Sequence, residues 1–245
     1  MIGIIIQARM GSSRLTGKIL MNICGKPMLW YVVKRCQQSK LASALIVATP
    51  KNKEDDRVED FCMENHINYF RGSSSNVLKR YYQAAKKYHV DNIVRITADC
   101  PLMDPLIIDR CIKVFTKNKY DYISNVNPKR TYPRGLDVEV FSFKALEKAY
   151  KEAKKPYEKE HVTPYIWENK KKQFFIGPAV EAKGIYRRNY RLTVDYPKDL
   201  ELMQKIYQRF YNINKIVDVK KVISYLDKNP LIAKINSDLV QKSLK

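Results

Sequence analysis

The sequence predicts an α/β chain: a mostly parallel, twisted sheet with helices on both faces and an inserted excursion over about residues 127–190. Three observations carry this reading. Strand-like and helix-like segments alternate through the first half with short connections, the pattern of right-handed strand–helix–strand crossovers. The opening segment Ile2–Gln7 is an apolar run rich in isoleucine, as a strand buried on both faces requires. Prolines and capping residues stand at the expected joints, with Pro27 and Pro105 where helices would start and Asp104 just before the second.

In chain order, a polar, glycine-containing loop runs from Ala8 to Lys18 after the first strand. Met28, Leu29, Val32, Val33 and Cys36 then fall at helical spacing behind Pro27. Ala44–Thr49 reads as the second strand, Lys53–Asn65 as a helix with a charged face, and Tyr69–Phe70 as a short strand. Ser75 or Asn76 can cap a helix running to about His89, with Val77, Leu78, Tyr81, Ala84 and Ala85 on one face. Asn92–Thr97 is a strand, Asp104 caps a helix to about Asn118, and Tyr120–Val126 is a further strand. The regularity lapses at Asn127–Gly135, a loop with two prolines. Asp137–Phe141 alternates polar with apolar residues and predicts a half-exposed strand. Ser142–Glu152 is helical, and a second helical pattern holds Val162, Ile166 and Trp167. Gln173–Ile176 and Tyr190–Val194 look like strands, and Pro197 to about Leu226 like two helices. No internal repeat or low-complexity linker interrupts the chain, so one domain carrying the excursion is expected over residues 1–245.

Composition narrows the function classes. Lys and Arg number 46 against 25 Asp and Glu, a net charge of +21 that invites anionic partners. No run approaches the ~18 apolar residues of a membrane span, and the N-terminal apolar run is too short for a signal peptide. The 5 cysteines include no C-x-x-C pair, and the 3 histidines stand far apart. A disulfide framework and a zinc site are therefore not expected, and reduced thiols in the cytoplasm are.

A strand leading through a glycine-containing loop to a helix is where α/β proteins place phosphates. Here the loop is Ala8-Arg9-Met10-Gly11-Ser12-Ser13-Arg14-Leu15-Thr16-Gly17-Lys18, with three cations and two glycine hinges. It is not a Walker loop, because five residues separate its glycines and Ile19 follows the lysine. Taken alone it reads either as a triphosphate cradle or as a solvated basic loop. Asp99 follows one strand directly and Asp195 follows another. Two carboxylates delivered to one sheet edge can hold Mg²⁺ together with substrate phosphates, while each can equally cap a local turn or helix. Asp104 and Asp109 read as structural, the first as a cap and the second on a helix surface. Asp137 and Glu139 share one strand face and read either as acceptor contacts or as a solvated face.

The opening also resembles a family. Gln7-Ala8-Arg9, Ser12, Arg14-Leu15, Lys18 and Gly25-Lys26-Pro27-Met28 are similar to the cytidylyltransferases that make CMP-activated acidic sugars. That family includes the CMP-Kdo and CMP-sialic acid synthetases and the branch of spore coat polysaccharide biosynthesis protein F. The similarity continues through Gly72-Ser73, Asn76–Tyr81, Arg95–Leu102, Gly135–Phe141, Glu160–Tyr165 and Arg191–Pro197, so it spans nearly the whole chain in order. It implies a nucleotide-diphospho-sugar transferase-like fold and transfer of CMP from CTP to an acidic sugar with release of pyrophosphate. It assigns Arg9, Ser12, Ser13, Arg14 and Lys18 to the triphosphate, Ala8 and Arg71 to the nucleoside, and Asp99 and Asp195 to Mg²⁺. Arg134, Asp137, Glu139 and His161 become acceptor candidates, with Arg130, Tyr132 and Arg187 or Arg188 nearby in sequence. A homodimer built through residues 127–180 is implied as well. One departure stands out: Thr97-Ala98-Asp99 replaces the Gln-Gly-Asp of the Kdo enzymes, removing an amide able to read a base or sugar edge.

Two other readings fit parts of the sequence. A glycosyltransferase or sugar-1-phosphate nucleotidyltransferase would use the same fold, but a glycosyltransferase normally shows a D-x-D pair, and Asp99-Cys100-Pro101 breaks it. A nucleic-acid-binding protein would explain the charge, but no recognition motif is present and the cations are spread along the chain. Neither nucleic acid nor a membrane is therefore an expected partner.

Overall fold

A computed structural model describes residues 1–212 and 214–241. The strands of the main sheet are β1 (Ile2–Gln7), β4 (Ala44–Pro50), β5 (Asn68–Gly72), β6 (Asn92–Thr97), β7 (Tyr122–Ser124) and β8 (Glu139–Ser142), in the order β5-β4-β1-β6-β8-β7. A small hairpin pairs β2 (Asn22–Ile23) with β3 (Lys26–Pro27). β1 runs parallel to both β4 and β6, and β5 runs parallel to β4. Only β8 is reversed, lying antiparallel to β6 and to β7. The sheet is thus mostly parallel, as the strand–helix alternation predicts.

The period of two in β1 divides the core. Ile4 and Ile6 face a layer formed by α1 (Met28–Cys36), α2 (Asp56–Glu64), α4 (Pro105–Lys117), α8 (Pro197–Phe210) and α9 (Val219–Lys228). Ile5 faces α3 (Val77–Lys87) and α5 (Phe143–Glu152) on the other side. Two short helices, α6 (Pro156–His161) and α7 (Pro164–Glu168), complete that layer, with Val162 and Ile166 in its core. A last short helix, α10 (Pro230–Ala233), follows α9. The helix starts have local causes. Asn76 accepts from the Lys79 amide at 2.8 Å, Asp104 from the Leu106 amide at 2.9 Å, and Ser142 from the Ala145 amide at 3.1 Å.

The excursion differs from its sequence reading. β8 is not half exposed. It lies between β6 and β7 under helices on both faces, and Val138, Glu139, Val140 and Phe141 are all buried. The alternation in this strand separates an apolar face from a buried ion pair, not from water. The expected strands at 173–176 and 190–194 reduce to single bridges, Tyr122 with Ile176 and Arg134 with Arg191. The second of these segments is nevertheless extended. The Leu192 amide donates to the Arg134 carbonyl at 2.7 Å and the Val194 amide to the Asp99 carbonyl at 2.9 Å. Asp109, read as a surface residue, instead caps the connection after α1, accepting from the Ser39 hydroxyl and the amides of Lys40 and Leu41.

Gly135 lets this extended segment approach. Its φ is 94°, and a Cβ there would lie 2.5 Å from the Leu192 carbonyl carbon and oxygen. Replacing Gly135 with Ala is therefore expected to cost more than about 2 kcal/mol. Urea unfolding checks this, and a variant as stable as the wild type would contradict the packing described.

Candidate active site

The loop after β1 begins where the sheet ends. The Ala8 amide donates to the Ala48 carbonyl at 3.1 Å and the Ala98 amide to the Gln7 carbonyl at 3.0 Å, each adding one rung beyond the strands. The Met10 amide then donates to Asp55 Oδ1 at 2.8 Å. The Gly17 amide returns to the Met10 carbonyl at 3.1 Å, closing the loop on itself, and Gly17 turns in the left-handed region at φ 67°. Ser12 Oγ accepts from the Leu15 amide inside the loop, and Ser13 stays exposed.

Closure directs Lys18 inward. Its ammonium donates to Asp99 Oδ2 at 2.8 Å, Asp195 Oδ1 at 2.8 Å and the Val194 carbonyl at 2.7 Å, which uses all three of its protons. Arg14 donates to the same Asp195 oxygen at 2.5 Å, and Arg191 to Asp195 Oδ2 at 2.8 Å. Arg191 continues to Asp199 Oδ1 at 2.9 Å. The other Asp199 oxygen accepts the Asp195 and Tyr196 amides at the start of α8. Burial alone would push Asp99 up, but the Lys18 charge and the bonds from Lys18, Thr97 and Cys100 prevail and hold it at about 2. Burial likewise opposes the charge on Lys18, yet Asp99 and Asp195 together raise its pKa. The pair is therefore fully ionised at neutral pH.

The structure thus brings Arg14, Lys18, Asp99 and Asp195 into one ion cluster. Arg9 is exposed and points elsewhere, into a cleft of about 420 Å³ with Ser74, Ser75, Lys154, Lys159 and Glu160. Arg71 is not part of the cluster. It sits at the outer strand β5, held by Glu59 at 2.5 Å, Asp56 at 2.6 Å and the Asn52 carbonyl at 2.8 Å. The Ala8 amide is spent on the sheet.

The acceptor candidates separate. Arg134 lines a cavity of about 540 Å³ with Arg191, Asn236 and Gln241. Burial and the nearby Arg130 and Arg191 charges push its guanidinium pKa down, against the pull of Asp137. Asp137 is paired with Arg130 through both oxygens. His161 ends α6 half-buried. Burial, together with the Arg95 and Arg9 charges, lowers its pKa against the opposing pull of Glu160 and Glu139. The next residue, Val162, takes φ 71° and ψ −54°, and the Thr163 amide donates back to the His161 carbonyl at 2.8 Å, a strained γ-turn. Glu139 does not lie on a solvated strand face. It is buried and accepts from Arg95 at 2.5 Å, Tyr122 at 2.6 Å and Thr163 at 2.6 Å inside the core.

Several residues in this region carry no assignment from the sequence. Arg95 also reaches Gln7 Oε1 at 3.3 Å, and the Thr97 hydroxyl donates to Asp99 Oδ1 at 2.6 Å. Arg95, Thr97 and Asp99 recur at every second position, so they line one face of β6 and its extension. That polar alternation within an otherwise apolar strand was the available signal.

A mostly parallel α/β sheet with a closed basic loop after its first strand, set above one carboxylate past the end of β6 and one before α8, is the frame of a nucleotidyltransferase. The chain belongs to the cytidylyltransferase family, whose sequence model matches residues 3–232, and it is a CTP-dependent nucleotidyltransferase. It is 44% identical over 241 residues to an uncharacterised protein of Methanocaldococcus jannaschii, covering 98% of this chain and 96% of that one. It is 31% identical over 236 residues to the spore coat polysaccharide biosynthesis protein SpsF of Bacillus subtilis, covering 92% and 94%. Among solved structures, a cytidylyltransferase from Leptospira borgpetersenii superposes with a TM-score of 0.87 at 35% identity, covering 98% of this chain and 99% of that one.

The position of Glu139 has a direct consequence. Glu139→Gln leaves the Arg95 charge uncompensated in the core and is expected to cost about 3–5 kcal/mol by urea unfolding. An unchanged stability with a raised acceptor KM would instead place Glu139 in the substrate site.

Proposed function

We propose that this enzyme transfers CMP from CTP to a hydroxyl of an acidic sugar and releases pyrophosphate, with Mg²⁺ held by Asp99 and Asp195. The observation that carries the reading is the convergence of two carboxylates and the loop cations Lys18 and Arg14 on one point of the sheet edge. The two aspartates suit Mg²⁺. They offer hard oxygens, and they already share one cation, Lys18 Nζ at 2.8 Å from each. Two carboxylates alone would leave coordination positions for phosphate oxygens. Bound there, the ion would supply neutralisation of phosphate charge.

The cations that would hold the triphosphate stand on the carboxylates that would hold the metal. Lys18 and Arg14 therefore exchange partners on binding, turning from Asp99 and Asp195 to phosphate oxygens. Ser12 and Ser13 lie on the same loop, and Arg9 extends its positive surface into the neighbouring cleft. With the charge compensated, the acceptor hydroxyl attacks the α-phosphorus in line and pyrophosphate departs opposite. No covalent enzyme intermediate is needed, so the chain's contribution is positioning and electrostatics. Arg134 makes no side-chain hydrogen bond among the described residues and suits the acceptor carboxylate. His161 suits an acceptor hydroxyl, since its lowered pKa keeps the imidazole neutral at neutral pH. A homodimer through residues 127–180 belongs to the same proposal, and sedimentation as a monomer at assay concentration would exclude it.

Pyrophosphate release from CTP with Mg²⁺, assayed across a panel of acidic sugars, tests the reaction. At least one acidic sugar should support turnover, and equal use of ATP, GTP, UTP and CTP would overturn the assignment. Asp99→Asn and Asp195→Asn should each lower kcat by about a hundredfold or more, and full activity in either would remove that residue from the site.

A further inference from the structure

The Met10–Gly11 turn of the loop rests on a second, buried pair of charges that takes no part in the ion cluster. Asp55 is fully buried just before α2. Its Oδ1 accepts the Met10 amide at 2.8 Å and the Thr49 hydroxyl at 3.4 Å, while its Oδ2 makes no hydrogen bond among the described residues. Arg80 on α3 is also fully buried. One of its terminal nitrogens donates to the Ser73 carbonyl at 2.5 Å, while Nε and Nη2 make no hydrogen bond among the described residues. Gly72 makes room for it, since a Cβ there would lie 2.9 Å from Arg80 Cγ. Gly11 lies against Glu54, whose Oε1 would be 2.8 Å from a Cβ there. The turn that enters the triphosphate loop is thus seated against residues 54–55.

A buried pair of charges with half of its hydrogen-bonding capacity unused is a poor way to stabilise a fold, and apolar residues of similar volume often serve better. Of the two, Asp55 touches the loop backbone, fixing the amide at the start of the turn. Arg80 holds the Ser73 carbonyl. The two groups lie close enough to affect one another's ionisation. Burial raises Asp55 while the Arg80 charge lowers it, and burial brings Arg80 to about 10, with Arg9 pushing the same way.

We propose that Asp55 is a positioning residue for the triphosphate loop, acting on nucleotide binding through the Met10 amide without touching the nucleotide. This rests on the triphosphate reading above, and its test has one arm that needs no nucleotide. In Asp55→Ala, amide hydrogen exchange of the free protein should accelerate about tenfold or more at Met10 and Gly11 while core strands keep wild-type protection. In the same variant the Kd for CTP should rise about tenfold to a hundredfold with the acceptor KM unchanged. Asp55→Asn retains an oxygen for the Met10 amide and should recover most of both effects. Wild-type exchange at Met10 with wild-type CTP affinity in Asp55→Ala would overturn the proposal. So would a loss of protection spread evenly over the core, in Asp55→Ala or, should that variant not fold, in Asp55→Asn. If the wild type fails to bind CTP while the exchange difference persists, the triphosphate reading falls and the seat of the loop stands.

Discussion

The ammonium of Lys18 joins three stretches of chain that share no local sequence relation. It binds Asp99 from the end of β6, Asp195 from the segment before α8, and the Val194 carbonyl between them. Its side chain is 9% exposed and that of Asp195 5%, so the charges are taken from water and must satisfy one another. Each charge has more than one partner, so the cluster is held as a network: Asp195 also binds Arg14 and Arg191, and Lys18 also binds Asp99 and the Val194 carbonyl. The loop closure at Met10 and Gly17, the close approach at Gly135 and the Arg191–Asp199 brace all serve to bring these groups together.

This arrangement gives the resting site a balance that a substrate can exchange. In the proposed reaction, Arg14 and Lys18 neutralise two carboxylates until a polyphosphate and its counter-ion arrive together. Each newcomer then finds charged partners already in place, with little reorganisation left to perform. The asymmetry of the Asp195 surroundings matters here. Arg191 holds one oxygen and is itself anchored by Asp199, so the carboxylate keeps its position when Arg14 and Lys18 turn away. Asp99 keeps its orientation through the Thr97 hydroxyl, at the position where the Kdo enzymes carry glutamine.

Much of this was legible in the sequence. The alternation of strands and helices, the buried run of β1, and the caps at Asn76 and Asp104 are local properties and appear where the residues place them. The loop cations and the two aspartates were legible because strand ends deliver them to one edge. Pairing over distance was not. Lys18 and Asp195 are 177 residues apart, and nothing local says that they meet. Glu139 in an alternating strand looks solvated until Arg95, one strand away, is seen to bury with it. Arg71 looks free in its motif, but Asp56 and Glu59 on a neighbouring helix occupy it. The segment at 190–194 is extended as expected, yet it forms only an isolated bridge because its neighbours are a loop and a strand end.

The exchange of partners at Lys18 and Arg14 is the centre of this account, and calorimetric binding of CTP to Asp195→Asn with and without Mg²⁺ tests it most directly. Neutralising Asp195 releases Arg14 and leaves Lys18 held by Asp99 and the Val194 carbonyl alone, so the variant should bind CTP in the presence of a chelator at least as tightly as the wild type. Added Mg²⁺ should then improve that affinity far less than it does in the wild type. A variant that loses CTP binding in chelator as well, or that keeps the full Mg²⁺ effect, would contradict the exchange.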